Sequence, residues 1–286
     1  MGPVGPEPAG PARAAAAPPA AGPGPAPAAA GPAAAGPGPG DAALAEDVAT
    51  TAGKLVLRLR ADPGGLAGRA LGDAGDAAAH RHIVAALLAA RPGDAVLSEE
   101  GADDPARLAA HRVWIVDPVD GTREFADDGR TDWAVHVALA VDGVLACGAV
   151  ALPAQGVTLS SARPPALPPR PLGPVRIVAS RSRAPAVVFD LASELGGEVV
   201  HLGSAGAKAA AVVTGQADAY VHAGGQWEWD VAAPAAVAAA AGLHVSRLDG
   251  SPLAFNQPRP WSPDLLLCRP ELAPRILELL STRTWA

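Results

Sequence analysis

The six residues Asp117-Pro118-Val119-Asp120-Gly121-Thr122 follow directly on an apolar run, Val113-Trp114-Ile115-Val116. The run predicts a short strand over 113–116, and Pro118, which has no N–H for a ladder, predicts a turn immediately after it. Two carboxylates three residues apart then converge as the chain doubles back, and close carboxylates repel unless a cation lies between them. Carboxylate and carbonyl oxygens are the donors that Mg2+ takes. Gly121 would let backbone approach a phosphate, and the Thr122 hydroxyl would orient a water. The competing reading is an Asx-rich β-turn with Asp117 capping something local, which a lone Asp-x-x-Asp pair does not exclude. Three more acidic positions lie at the ends of predicted elements. Asp76 opens a predicted helix over 76–90, Glu99-Glu100 follows a predicted strand over 95–98, and Asp230 opens a predicted helix over 230–241. Pro234 cannot donate an i→i−4 bond, so the last helix is expected to start near Asp230, with Pro234 in its first turn.

Four of these stretches occur in a familiar order. Asp117 to Phe125 resembles the metal-binding signature of the inositol monophosphatase family of Mg2+-dependent, lithium-sensitive phosphatases. Ser98-Glu99-Glu100 resembles that family's upstream acidic pair, and Trp229-Asp230-Val231-Ala232-Ala233 resembles its downstream W-D-x-A-A stretch. Asp76 matches the acidic residue before the pair. Together they cover the chain from about residue 41 to about residue 280. The resemblance implies a layered αβαβα sugar-phosphatase fold and two to three Mg2+ ions. It implies Glu99, Asp117, the Val119 carbonyl, Asp120 and Asp230 as metal ligands. Asp76 and Thr122 would act as the catalytic pair that positions and helps deprotonate a metal-activated water. Gly121, Thr122, Ser204, Lys208 and Asp230 would contact substrate.

Gly203-Ser204-Ala205-Gly206-Ala207-Lys208 is a Gly-rich turn into a helix, able to offer backbone N–H groups and one ammonium to an anion. It lacks the spacing of a P-loop, and simple helix capping is an equal reading. Lys208 is one of two lysines, with Lys54. Gly-Ser followed by this Lys resembles the branch of the family acting on 3′-phosphoadenosine 5′-phosphate, in sulfur metabolism. Removal of its 3′-phosphate is the expected reaction. Inositol 1-phosphate or fructose 1,6-bisphosphate is the alternative within the family. A catalytically silent binding protein is the alternative outside it, disfavoured by the complete acidic set. Trp227 departs from other branches; with Trp229 it stacks a base or simply fills core. His80 and His82, two apart on one helix, cannot face the same way. No zinc site is expected from them or from His136.

The elements that must carry these groups fall into two halves. An α+β half over 41–163 holds helices over 41–60 and 76–90, the two strands, and a hairpin over 133–152 turning at Asp142-Gly143. A Pro-rich linker over 164–174 leads to an α/β half over 175–286. There strands over 175–179, 198–202, 218–222 and 243–246 alternate with helices over 185–195, 206–214 and 230–241. Residues 1–40 hold 12 Pro, 9 Gly and 15 Ala, which leaves almost nothing to bury and predicts a disordered tail.

Charge and composition narrow the partners. The 286 residues carry 22 Lys plus Arg against 29 Asp plus Glu, a net charge of −7, which gives no basic footprint for nucleic acid or an anionic membrane. Cys147 and Cys268 lie far apart without a paired spacing, so neither a disulfide scaffold nor a zinc–cysteine site is expected. No signal peptide or membrane span is apparent, which makes the cytoplasm the expected compartment and a small phosphorylated metabolite the expected partner; a homodimer stays open. Removal of residues 1–40 is expected to leave the melting temperature and turnover unchanged, because a Pro/Gly/Ala segment contributes no core contacts. A large loss of activity on truncation would contradict this.

Overall fold

The computed structural model describes residue 38 and residues 40–282. Residues 1–37 and residue 39 of the expected tail lie outside the described residues. Helices α1 (Asp41–Ala61) and α2 (Gly68–Ala90) precede the strands β1 (Ala95–Ser98) and β2 (Arg112–Asp120) and a short helix, α3 (Thr122–Ala126). Strands β3 (Ala134–Val141), β4 (Val144–Leu152) and β5 (Val157–Ser160) complete a first sheet in the order β1-β2-β3-β4-β5. It is antiparallel except for the parallel pair β1–β2. The β3–β4 hairpin turns at Asp142 and Gly143, both with positive φ (50° and 77°), as the sequence predicts.

Beyond the Pro-rich stretch come β6 (Arg176–Ser180), α4 (Ala186–Glu194), β7 (Glu198–Leu202), α5 (Ala205–Val213), β8 (Ala219–Trp227), α6 (Glu228–Ala240), β9 (His244–Ser246), β10 (Trp261–Cys268) and α7 (Ala273–Ser281). These strands form a second sheet in the order β7-β6-β8-β10-β9. The elements β10, α7, β5 and α3 go beyond the sequence expectation.

Burial explains the layering. Trp114 and Val116 of β2 pack with Val48, Ala52 and Ile83 of α1 and α2, whereas Val113 and Ile115, one residue out of phase, pack with α5 and α6. Both faces of the first sheet are therefore covered, which is why its strands read as continuous apolar runs. Val178, Tyr220, Leu265 and Leu267 of the second sheet join the same central core as α5 and α6, and its other face packs on α4 and α7. The order is helices, sheet, helices, sheet, helices, the expected αβαβα stack. Among the described residues no helix is long and apolar enough to cross a membrane.

Three expectations are corrected. Strand β2 does not end before Pro118. It continues to Asp120, pairing Asp117 with His136 and Asp120 with Ala134, so one extra residue is accommodated between them. Pro118 falls within this bulge, where a ladder N–H is not required. Helix α2 starts at Gly68, eight residues before Asp76, so Asp76 projects from its middle. Two glycines on this helix are sites of close approach. A Cβ on Gly72 would lie 2.6 Å from Thr122 Cγ2, and one on Gly75 would lie 2.6 Å from Phe125. Helix α6 starts at Glu228 rather than near Asp230, which moves Pro234 out of the first turn. Its start is fixed from outside: the buried Glu228 carboxylate accepts the Asn256 and Gln257 N–H groups at 2.7 and 2.8 Å, and the Glu228 N–H donates to Pro260.

Gly72→Ala is expected to separate stability from activity. The helix gains roughly 1 kcal/mol of propensity, offsetting part of the crowding, while the added methyl displaces Thr122. Turnover should fall about tenfold or more, since small misplacements at a reacting centre are costly. Thermal melts beside steady-state rates test this, and unchanged turnover would contradict it.

Candidate active site

The bulge and the helix starts bring the acidic residues together. One oxygen each from Asp117, Asp120 and Asp230 lies within 4.8 Å of the others. Asp117 is buried on β2, and its Oδ1 has no hydrogen-bonding partner; the same is true of Asp76 Oδ1 on α2. Glu99, just past β1, is open to solvent over much of its surface, yet its carboxylate belongs to the same field. Desolvation, with the charge of Asp230 behind it, pushes Glu99 up to about 7. Desolvation and Glu99 likewise push Asp76 up to about 7, opposed by the nearby Thr122 hydroxyl. Burial, Glu99 and Asp120 hold Asp117 well above the carboxylate range. Asp230 is raised to about 6 by desolvation and by Asp120, even though it accepts the Trp227 N–H at 2.8 Å.

Asp120 behaves oppositely. Burial would raise it, but the His136 charge and hydrogen bond bring it down to about 2. His136 is fully buried, with Nε2 3.2 Å from Asp120 Oδ2 and Nδ1 3.0 Å from the Trp229 carbonyl. Asp120 also accepts the first N–H groups of α5, from Ala205 at 3.1 Å and Gly206 at 2.6 Å. A carboxylate offers about four acceptor positions, so these bonds leave room for a further partner.

The turn at 203–208 is therefore an anion-binding turn whose anion is the protein's own Asp120. The expectation of free N–H groups there is corrected: Ala205 and Gly206 serve Asp120, and Ala207 donates to Ser204 Oγ at 2.8 Å. Lys208 is only 4% exposed, with its ammonium donating to the Gly203 carbonyl and, at 2.8 Å, to the Ser204 carbonyl. The structure brings Ser204 and Lys208 to the wall of the site with these donors engaged. Gly121 has φ 86°, and a Cβ there would lie 3.0 Å from Ser204 Cβ. Val119 is buried, and its carbonyl accepts the Thr122 hydroxyl at 3.2 Å.

His136 and Asp132 are site residues that the sequence reading did not use. Asp132 accepts the Gly203 N–H at 2.7 Å and pairs with Arg130. The available signal was a single polar residue, His136, within the apolar run Trp133 to Val141.

The donor set fits a hard divalent cation. It consists of carboxylate oxygens, with two buried carboxylate oxygens unpartnered nearby, and Lys208 and His136 as positive counterweights. A match to the model of the inositol monophosphatase family spans residues 42–164 and 176–284. This chain belongs to that family. It is 52% identical over 253 residues to a 3′-phosphoadenosine 5′-phosphate phosphatase of Mycobacterium leprae (strain TN), covering 83% of this chain and 92% of the relative. It is 36% identical over 197 residues to the 3′(2′),5′-bisphosphate nucleotidase CysQ of Escherichia coli (strain K12), covering 64% and 78%. The crystal structure of CysQ from Bacteroides thetaiotaomicron, a bacterial member of the inositol monophosphatase family, superposes with a TM-score of 0.68 at 28% identity, over 80% of this chain and 97% of the other.

For a member of this metal-dependent family, the raised carboxylates have a consequence for stability. Asp76, Glu99 and Asp230 hold protons more tightly when folded than the ordinary values of 3.8, 4.5 and 3.8. Their contribution to stability is therefore lost as pH rises from about 4 towards about 7 in chelated protein. Cation binding opposes that loss. The Mg2+-induced rise in melting temperature should be larger near pH 8 than near pH 5, and Asp117→Asn should reduce it while lowering turnover by orders of magnitude. A Mg2+ shift independent of pH, or near-normal turnover of Asp117→Asn at saturating Mg2+, would contradict this.

Proposed function

We propose that this protein is a Mg2+-dependent phosphatase that removes the 3′-phosphate of 3′-phosphoadenosine 5′-phosphate. The observation that carries the chemistry is the convergence of Asp117, Asp120 and Asp230 with an unpartnered buried oxygen on Asp117. What supports the substrate is similarity: 52% identity to a phosphatase named for that nucleotide. Inositol 1-phosphate and fructose 1,6-bisphosphate are the alternatives within the family. A reducing cytoplasm is the proposed setting, in keeping with the buried free thiols of Cys147 and Cys268.

In this reading Glu99, Asp117, the Val119 carbonyl, Asp120 and Asp230 hold two to three Mg2+ ions. Most of these ligands come from the half over 41–163, and Asp230 comes from the half over 175–286. When bound, the ions neutralise phosphoryl charge and make water more acidic. The protein's own groups do the rest. The Thr122 hydroxyl donates to the Val119 carbonyl, which leaves its oxygen lone pairs to accept from the attacking water. When the Thr122 hydroxyl turns from the Val119 carbonyl to Asp76, it passes its proton to the unpartnered Asp76 Oδ1 as its oxygen takes one from the water. The backbone of Gly121 and Thr122 and the Asp230 carboxylate orient the phosphoryl group. Ser204 and Lys208 act by holding the turn that fixes Asp120, and Lys208 adds positive charge that favours a polyanionic substrate.

Phosphate release by purified protein with and without Mg2+, across the three substrates, tests the reading. The expected result is Mg2+-dependent release, inhibited by lithium and fastest with 3′-phosphoadenosine 5′-phosphate. No release from any of the three would sink the enzyme assignment, and a preference for another substrate would sink the nucleotide assignment alone.

A further inference from the structure

Beside Asp230 stands an aromatic stack for which the chemistry above has no use. Trp227 is the residue preceding α6, and its backbone N–H donates to the Asp230 carboxylate. Its indole stacks on that of Trp229, with ring centroids 5.1 Å apart and planes 13° from parallel. Trp261, the cross-strand partner of Trp227 on β10, meets it edge-on at 5.0 Å and 84°. The arrangement is built by the backbone beneath it. Gly225 on β8 has φ 87°, and a Cβ there would overlap the Trp261 ring, so a glycine is required for that ring to lie on the strand. The Arg259 guanidinium covers Trp261 at 5.1 Å from its centroid.

Despite these supports, Trp227 remains 38% exposed. Among the described residues, the other strongly exposed large aromatic is Phe189, on α4 of the outer layer, away from the carboxylates. A rigid aromatic stack with open surface at the rim of a site is suited to a planar ligand group, because rings gain from stacking beyond simple burial. The neighbouring polar side chain, Gln226, is occupied by the Tyr220 hydroxyl, at 3.0 Å from its amide nitrogen. The stack is thus equipped to bind a ring face.

We propose that Trp227, backed by Trp229 and Trp261, is the nucleobase platform of this enzyme, and that it selects base-bearing bisphosphates over inositol and sugar phosphates. This rests on the nucleotide reading above. With the phosphoryl group at Asp230, the platform lies at the N-terminus of the same helix. Inositol and sugar phosphates, which carry hydroxyls in place of a planar ring, gain little from it.

The test uses the full chain with saturating Mg2+, comparing wild type with Trp227→Phe, which keeps a ring face, and Trp227→Leu, which keeps apolar bulk. Trp227→Leu should raise the KM for 3′-phosphoadenosine 5′-phosphate about tenfold, and kcat should change much less. The inhibition constant of the product adenosine 5′-monophosphate should weaken in parallel, while that of inorganic phosphate should not. Trp227→Phe should restore most of both. Equal effects on the two inhibitors, no effect on either, or equal behaviour of Phe and Leu would overturn the platform while leaving the phosphatase reading intact. Failure of wild type to hydrolyse the nucleotide would instead overturn the reading on which the platform rests.

Discussion

Five carboxylates, three of them buried, are gathered from four places in the chain and repel one another, and most of the site answers to that repulsion. Asp76 arrives on α2, Glu99 after β1, Asp117 and Asp120 on β2, and Asp230 on α6. Crowding and desolvation raise Asp76, Glu99, Asp117 and Asp230, which in the absence of a cation means that they hold protons more readily than free carboxylates. Such a cluster costs stability, so the surrounding fold has to force it together. The covered faces of the first sheet and the αβαβα stack provide that force, because Asp117 continues a strand whose alternating side chains are buried on both sides.

Asp120 is the exception that organises the rest. It stays ionised because His136 and the start of α5 compensate it. Those same bonds tie β2, β3 and α5 together, and His136 carries the connection on to the Trp229 carbonyl beside Asp230. Gly206 makes this packing feasible, since a Cβ there would overlap His136 Nε2. One ionised carboxylate is thus spent on placing the elements that hold the others, and Lys208 and Ser204 belong to that arrangement through the turn at 203–208.

Close backbone approach recurs wherever precision is needed. Gly72 and Gly75 let α2 lie against α3, which sets Asp76 near Thr122. Gly121, in the left-handed region, turns the chain between Asp120 and Thr122 and packs on Ser204. Proline has the complementary role: Pro118 lies within the bulge of β2 and Pro263 within the irregular pairing of β10, places where the ladder can do without an N–H.

That these acidic positions belong together was legible in the chain itself. The Asp117–Thr122 stretch points to hard-cation chemistry by residue type and spacing, the resemblance to the inositol monophosphatase family adds Glu99, Asp76 and Asp230 as expectations, and apolar periodicity foretold most strands and helices. Asp142-Gly143 specified its hairpin because both residues tolerate positive φ. What local pattern did not reveal was set by contacts between segments distant in sequence. The early start of α2 was missed because Gly68, Gly72 and Gly75 favour no helix locally, and the benefit of Gly72 and Gly75 comes from Thr122 and Phe125, some fifty residues away. The start of α6 was misplaced because Asn256, Gln257 and Pro260 fix it. Lys208 and the turn before it read as a ligand site because sequence gives the donors but not their acceptors, and the acceptor, Asp120, lies 85 and 86 residues away from the N–H groups it receives. Sequence determines which groups are present and the local geometry each favours; only tertiary packing decides which of them meet, and therefore which remain free for a ligand.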